Sequence, residues 1–127
     1  MLVKIPVSVG EVVDKVTILQ IKARRISRPD KLANIRSELD ALLDVLAEAG
    51  VESASADVRE LSEVNEALWD IEDKIRDKER VQAFDAEFIE LARAVYRFND
   101  RRFELKTRLN QLWGSQIVEE KSYAQYL

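Results

Sequence analysis

Apolar residues in the second half of the chain return at alternating steps of three and four: Phe88, Leu91, Val95, Phe98, then Leu105, Leu109 and Leu112. Such spacing marks the inward face of a core-facing helix. Arg102 takes the missing step between Phe98 and Leu105, so the pattern predicts a guanidinium in the middle of an apolar arc. Asn99 and Lys106 fall on its shoulder, within about one turn. An unpaired charge there is strongly unfavourable, so Arg102 is expected to meet a carboxylate, a ligand anion or another chain.

The same reading yields three further helices. Ser8 and Glu11 make the S-x-x-E pattern of a capping box, and Val12, Val13, Val16, Leu19, Ala23 and Ile26 share one face behind it. The run Ser27-Arg28-Pro29-Asp30 interrupts that helix, with Pro29 as the stop and Asp30 placed to cap the next. Leu32, Ile35, Leu39, Leu42, Leu43 and Leu46 carry the second helix to Gly50, and residues 51–56 read as a loop. The third runs from about Asp57 to Val81 on Leu61, Val64, Leu68, Ile71 and Ile75. Asp85 caps the fourth and Gly114 closes it.

Short connections imply antiparallel neighbours. The expected fold is all-α: an antiparallel four-helix bundle over residues 1–127 as one domain, with a short extended N-terminal arm and an ordered C-terminal tail. The arm, Leu2 to Val7, cannot be helical. The tail is apolar at Ile117, Val118, Tyr123, Tyr126 and Leu127, too much for a loose terminus, and should bring Glu119, Glu120 and Lys121 near the polar site. Ile117 and Val118 are placed to pair with the arm.

Composition narrows the chemistry. Charged residues make up 35 % of the 127, with three glycines and two prolines, a balance that suits long helices with solvated faces. The formal net charge of −4 disfavours nucleic acid as a partner. With no cysteine and no histidine, disulfides, thiol chemistry, thiolate metal sites and imidazole bases are all excluded. No signal peptide or membrane span is evident, so a cytoplasmic location is the default expectation.

Two readings of the arginine cluster stand open. In one, Arg102 pairs internally with a carboxylate on helix three, where Asn65, Glu72 and Glu79 recur every seven residues beside the apolar stripe. In the other, Arg102, Asn99, Lys106 and the adjacent Arg101 face a pocket that accepts an anionic group. Glu11, Asp14, Lys15, Ile18, Lys22 and Arg25 line the face of helix one opposite its core stripe. That face is either solvated, with Glu11 and Lys15 as an i,i+4 pair, or a second contact surface against another chain or over the Arg102 site. The latter reading takes in Ile18 and Ile21 as apolar residues off the core stripe and makes Asp14, Lys15 and Thr17 pocket residues. Paired carboxylates such as Glu60/Glu63 and Glu87/Glu90 have the spacing used by helical magnesium-dependent nucleotide pyrophosphohydrolases, but the second acidic motif is not completed. Arg93, Arg97, Arg101 and Arg108 form a stripe interleaved with Glu90, Asp100 and Glu104, which neutralise it.

The stretches Ile5 to Lys15 (IPVSVGEVVDK), Asn99 to Arg102 (NDRR) and Glu119 to Tyr123 (EEKSY) resemble a family of short, uncharacterised bacterial helical proteins. The resemblance spans nearly the whole chain and implies no particular activity. In size, helix content and use of Arg, Lys and Glu, the chain also looks like the all-α chorismate mutases, although their helix-one arginine pattern is not matched.

The resulting expectation is a helical binding or interaction module without cofactor or bound metal, centred on Arg102, Asn99 and Lys106. Its partner is an anionic small molecule or a protein, with nucleic acid and membrane set aside. The alternative is a small enzyme on an anionic substrate, of chorismate-mutase or pyrophosphohydrolase type. Glu72 or Glu11 would then be acid or base. A fourth helix of roughly 28 residues, about 42 Å long, overhangs the others and points to a homodimer.

Overall fold

The computed structural model describes residues 1–52 and 54–126. Ser53 of the expected loop and Leu127 of the tail lie outside the described residues. Among these, the chain forms four α-helices and no strand: α1 Val9–Arg25, α2 Pro29–Glu48, α3 Ala56–Arg80 and α4 Ala86–Leu112.

The helix ends follow local side-chain chemistry. Ser8 accepts from the Glu11 N–H at 3.3 Å, Ser55 from Val58 at 3.3 Å, and Asp85 from Phe88 at 2.9 Å, each relieving an orphan donor of the first turn. The expected Asp30 cap is not formed. Pro29 is itself the first residue of α2, so Asp30 falls inside the first turn and pairs with Arg28 at 2.9 Å. At the other end of α2, Gly50 takes a left-handed φ of +73°, and Gly50 and Val51 donate back to Ala47 and Leu46 in a Schellman turn.

α1 is the hub and touches all three other helices, whereas α2 approaches only α1 with its backbone. Leu39, Leu42, Leu43 and Leu46 of α2 still reach the common core, where Val13, Val16, Leu61, Leu105 and Leu109 are almost completely buried. Burying such side chains stabilises the fold by about 1.5–3 kcal/mol each. Polar cross-links give the helix directions. Lys78 meets Asp85, Glu60 meets Arg101 and Asp57 meets Arg108, so α3 and α4 form a hairpin. Asp14 bonds Asn65 and Arg25 bonds Asp70, so α1 and α3 run the same way.

Three expectations change. Ile21, which lies off the main stripe of α1, is buried because that helix is packed on several sides. Leu112, the last step of the α4 stripe, is exposed because α4 outruns its neighbours there. The arm from Met1 to Val7 is non-helical, as expected, and exposed, but Ile117 and Val118 form no strand pairing with it. The Ile117 carbonyl instead accepts from Ser115 Oγ at 2.7 Å.

One glycine fixes how close α1 and α4 come. A Cβ on Gly10 would lie 2.5 Å from the Lys106 carbonyl oxygen and 2.9 Å from Asn110 Oδ1, and the first of these is backbone that cannot swing away. The Gly10 N–H uses this proximity to donate to Asn110 Oδ1 at 2.6 Å. Gly10→Ala should therefore destabilise the protein by about 1–3 kcal/mol through overpacking, although alanine is the better helix former by about 1 kcal/mol. A urea titration checks this, and equal or higher stability in the variant would refute the close-contact account.

Candidate functional site

On α1, Gly10, Asp14, Thr17 and Ile21 stand at steps of four, three and four, a second stripe beside the valine-rich one. This stripe turns toward α3 and α4. It carries Asp14 to a position with 0 % exposure, so for this residue the solvated reading of the helix-one face does not hold. Arg102 of α4 grips both carboxylate oxygens, with Nε donating to Oδ1 at 2.9 Å and a terminal nitrogen donating to Oδ2. Asn65 Nδ2 of α3 donates to the same Oδ1 and to Thr17 Oγ1, both at 2.9 Å. The Thr17 hydroxyl in turn donates to the Asp14 carbonyl at 2.7 Å. The bond to Asp14 raises the Arg102 pKa against the opposing effect of burial.

One turn along, Lys106 is buried to 6 % exposure and bridges two carboxylates, Glu11 of α1 at 2.7 Å and Glu119 of the tail at 2.9 Å. Burial acts to lower its pKa, but the bonds to Glu11 and Glu119 outweigh it and the net direction is upward. Further along, Asn110 accepts from Gly10 N–H, and Ser115 Oγ accepts from Val9 N–H at 3.2 Å. The first turn of α1 is thus closed by α4 and the start of the tail as well as by Ser8. Glu11 does not complete the reciprocal half of a capping box, because its carboxylate is spent on Lys106.

The remaining residues of interest divide clearly. The carboxylate that meets Arg102 lies on α1, not on helix three as the internal-network reading has it; helix three contributes the amide of Asn65 instead. Lys15 points away and pairs with Glu38 of α2 at 3.2 Å, not with Glu11. Arg101 bonds Glu60 and, at 2.8 Å, Glu104 on the outer side of the α3–α4 hairpin. Glu72 is bound by Arg76 of its own helix. Thr17 joins the cluster as the contact-surface reading of helix one has it, whereas Asn110 is not singled out by the sequence, its helical register relative to Lys106 being the available signal.

Two grooves flank Arg102, whose side chain keeps 29 % of its surface exposed. The first, of about 460 Å³, lies over α1, α3 and α4, where Ile18, Leu68 and Trp69 form apolar walls and Glu72, Asp73 and Arg76 a polar margin. The second, of about 620 Å³, lies between α4 and the tail. Asn99 and Arg102 belong to both. Among the described residues no three carboxylates converge as a metal site, and no helix is long and apolar enough to cross a membrane.

An all-α bundle stitched by a buried polar ladder, with an arginine between two grooves, is the class that fold and site define. The chain belongs to the family of unknown function DUF6165, whose pattern covers residues 3–127. No curated protein and no solved structure matches it.

Arg102→Met should cost about 3–5 kcal/mol, because Asp14 is left charged and fully buried. Asp14→Leu should cost less, since Arg102 can turn toward water, and the double variant should recover much of the loss. Denaturant titrations of the three proteins test the order. The Lys106 ladder predicts a pH effect of definite sign. A raised folded-state pKa gives stability that is complete below the ordinary value of 10.5 and is lost as pH rises through the folded value. Wild type should therefore lose more stability than Lys106→Met between neutral pH and pH values above 10.5, as read from pH-dependent unfolding.

Proposed function

We propose that the protein is a helical binding module in which the open edge of Arg102, together with Asn99, accepts an anionic group. The observation that carries this reading is the combination of a guanidinium fixed by a wholly buried carboxylate with a side chain still partly exposed to two grooves. Nε and one terminal nitrogen are committed to Asp14, which leaves the other terminal nitrogen available to a ligand. Asp14 offsets the formal charge, so recognition rests on directed N–H donors held in place before the ligand arrives. Lys106 and Glu11 act differently in this reading. They are sealed against each other and hold α1, α4 and the tail in register.

An enzymatic role finds less support. Glu11 is tied to Lys106, Glu72 to Arg76 and Asp14 to Arg102, so the two carboxylates expected as acid or base and the one that holds the arginine each have a cationic partner already. Binding is read directly by NMR. Millimolar acetate, benzoate or inorganic phosphate should shift the Arg102 Nε–H and the Asn99 side-chain amide while leaving the buried Asn65 amide nearly fixed. If none of the three anions moves the Arg102 and Asn99 signals, the site does not bind anions.

A further inference from the structure

The two grooves beside Arg102 differ in charge and in wall chemistry, and the difference selects between them. Arg102 is common to both and is already offset by Asp14; apart from it, the first lining sets Arg76 against Glu72 and Asp73 and so carries one surplus acid. In the second, Arg102 and Lys121 face a single acid, Asp100. That acid is already engaged, because Tyr126 Oη donates to it at 2.7 Å. Apart from the Arg102–Asp14 pair, Lys121 balances Asp100 in the second groove, so a monoanion meets less repulsion there than in the first.

The second groove is also aromatic. Tyr96 of α4 and Tyr126 of the tail meet edge to face with centroids 4.9 Å apart, and Tyr123 lies beside them. The Lys121 ammonium sits 5.3 Å from the Phe103 ring centroid and 5.9 Å from that of Tyr123. Phe103 and Tyr123 thereby engage the ammonium, and Lys121 and Tyr123 both line the groove. Glu119 anchors the start of this segment on Lys106. The tail is thus fastened at Glu119, Lys121 and Tyr126, which spans a cavity of about 620 Å³, within the range of small-molecule sites. Such walls fit a planar ring, and the two cations of the lining fit a single carboxylate on that ring.

We infer that the groove between α4 and the tail binds a small aromatic monocarboxylate, its ring among Tyr96, Tyr123 and Tyr126 and its carboxylate between Arg102 and Lys121. This rests on the reading of Arg102 as an anion acceptor and adds the groove and the ligand class. Calorimetric or NMR titration of the full chain with benzoate, acetate and benzyl alcohol tests it, since the last two each lack one half of the ligand. Benzoate should bind at least tenfold more tightly than either. Tyr96→Ala, a change at an exposed helix position, should remove most of that advantage, Lys121→Ala should weaken benzoate several-fold, and Trp69→Ala in the other groove should leave it unchanged. Tyr126→Ala should act like Tyr96→Ala; because it also frees the end of the tail, Tyr96→Ala is the deciding variant. Acetate binding as well as benzoate would overturn the aromatic site while leaving the anion reading intact. Loss of benzoate binding in Trp69→Ala but not in Tyr96→Ala would place the ligand in the first groove and overturn the inference. No binding of acetate or benzoate would overturn it together with the anion reading for carboxylates.

Discussion

A carboxylate with no contact to water is the constraint around which the rest of this protein is arranged. Asp14 is wholly buried, and an isolated charge there would be strongly destabilising. The compensation comes from two other helices, through the fork of Arg102 from α4 and the amide of Asn65 from α3. Because the interaction is directional on both sides, it sets longitudinal register in a way that aliphatic packing does not. Sliding α4 by one turn, about 5.4 Å, would in one direction put Phe98 against the carboxylate. Leucines in the same layer would accept such a shift at modest cost, since interdigitating apolar side chains repack.

The polar ladder also explains why α1 and α4 come so close at one end. Gly10, Glu11 and Asp14 face Asn110, Lys106 and Arg102 in order. The absence of a side chain at Gly10 lets the helix backbones approach until an N–H reaches an asparagine. Closeness at that end brings the start of the tail within reach of α1, where Ser115 receives the Val9 N–H. Glu119 then follows onto Lys106. The cavity beside Arg102 is therefore a consequence of the ladder: the contacts that register α1 on α4 also fasten the chain that roofs the groove.

Against this tight seam, the distal half of the α3–α4 hairpin is loosely covered. Phe84, Val81 and Ile89 near its turn are exposed, and Phe84 leans edge to face on Phe88 with centroids 5.2 Å apart. Stability in the protein is accordingly uneven, concentrated where α1 is enclosed by α3 and α4 and thinner toward the hairpin turn.

The four helices, their order and most of their ends were legible in the chain because they depend on interactions within one turn. Steps of three and four residues, Ser8 and Asp85 as caps and Gly50 beyond α2 act over a few bonds, whatever the rest of the molecule does. Arg102 likewise announced itself as a charge on a buried face. Its partner did not, because the apolar pattern of α1 marks only the valine face. A helix that meets three neighbours buries a wider arc than its apolar residues reveal. Within that arc a polar side chain such as Asp14 or Thr17 carries the signature of a solvated position until its partner is known. Which carboxylate met the arginine, that Lys15 turned away while Asp14 turned in, and that the tail closed a groove beside Arg102 were decided by helix packing. Those contacts join residues up to about a hundred positions apart (Gly10 and Asn110, for instance), and no local periodicity encodes a pairing at that separation.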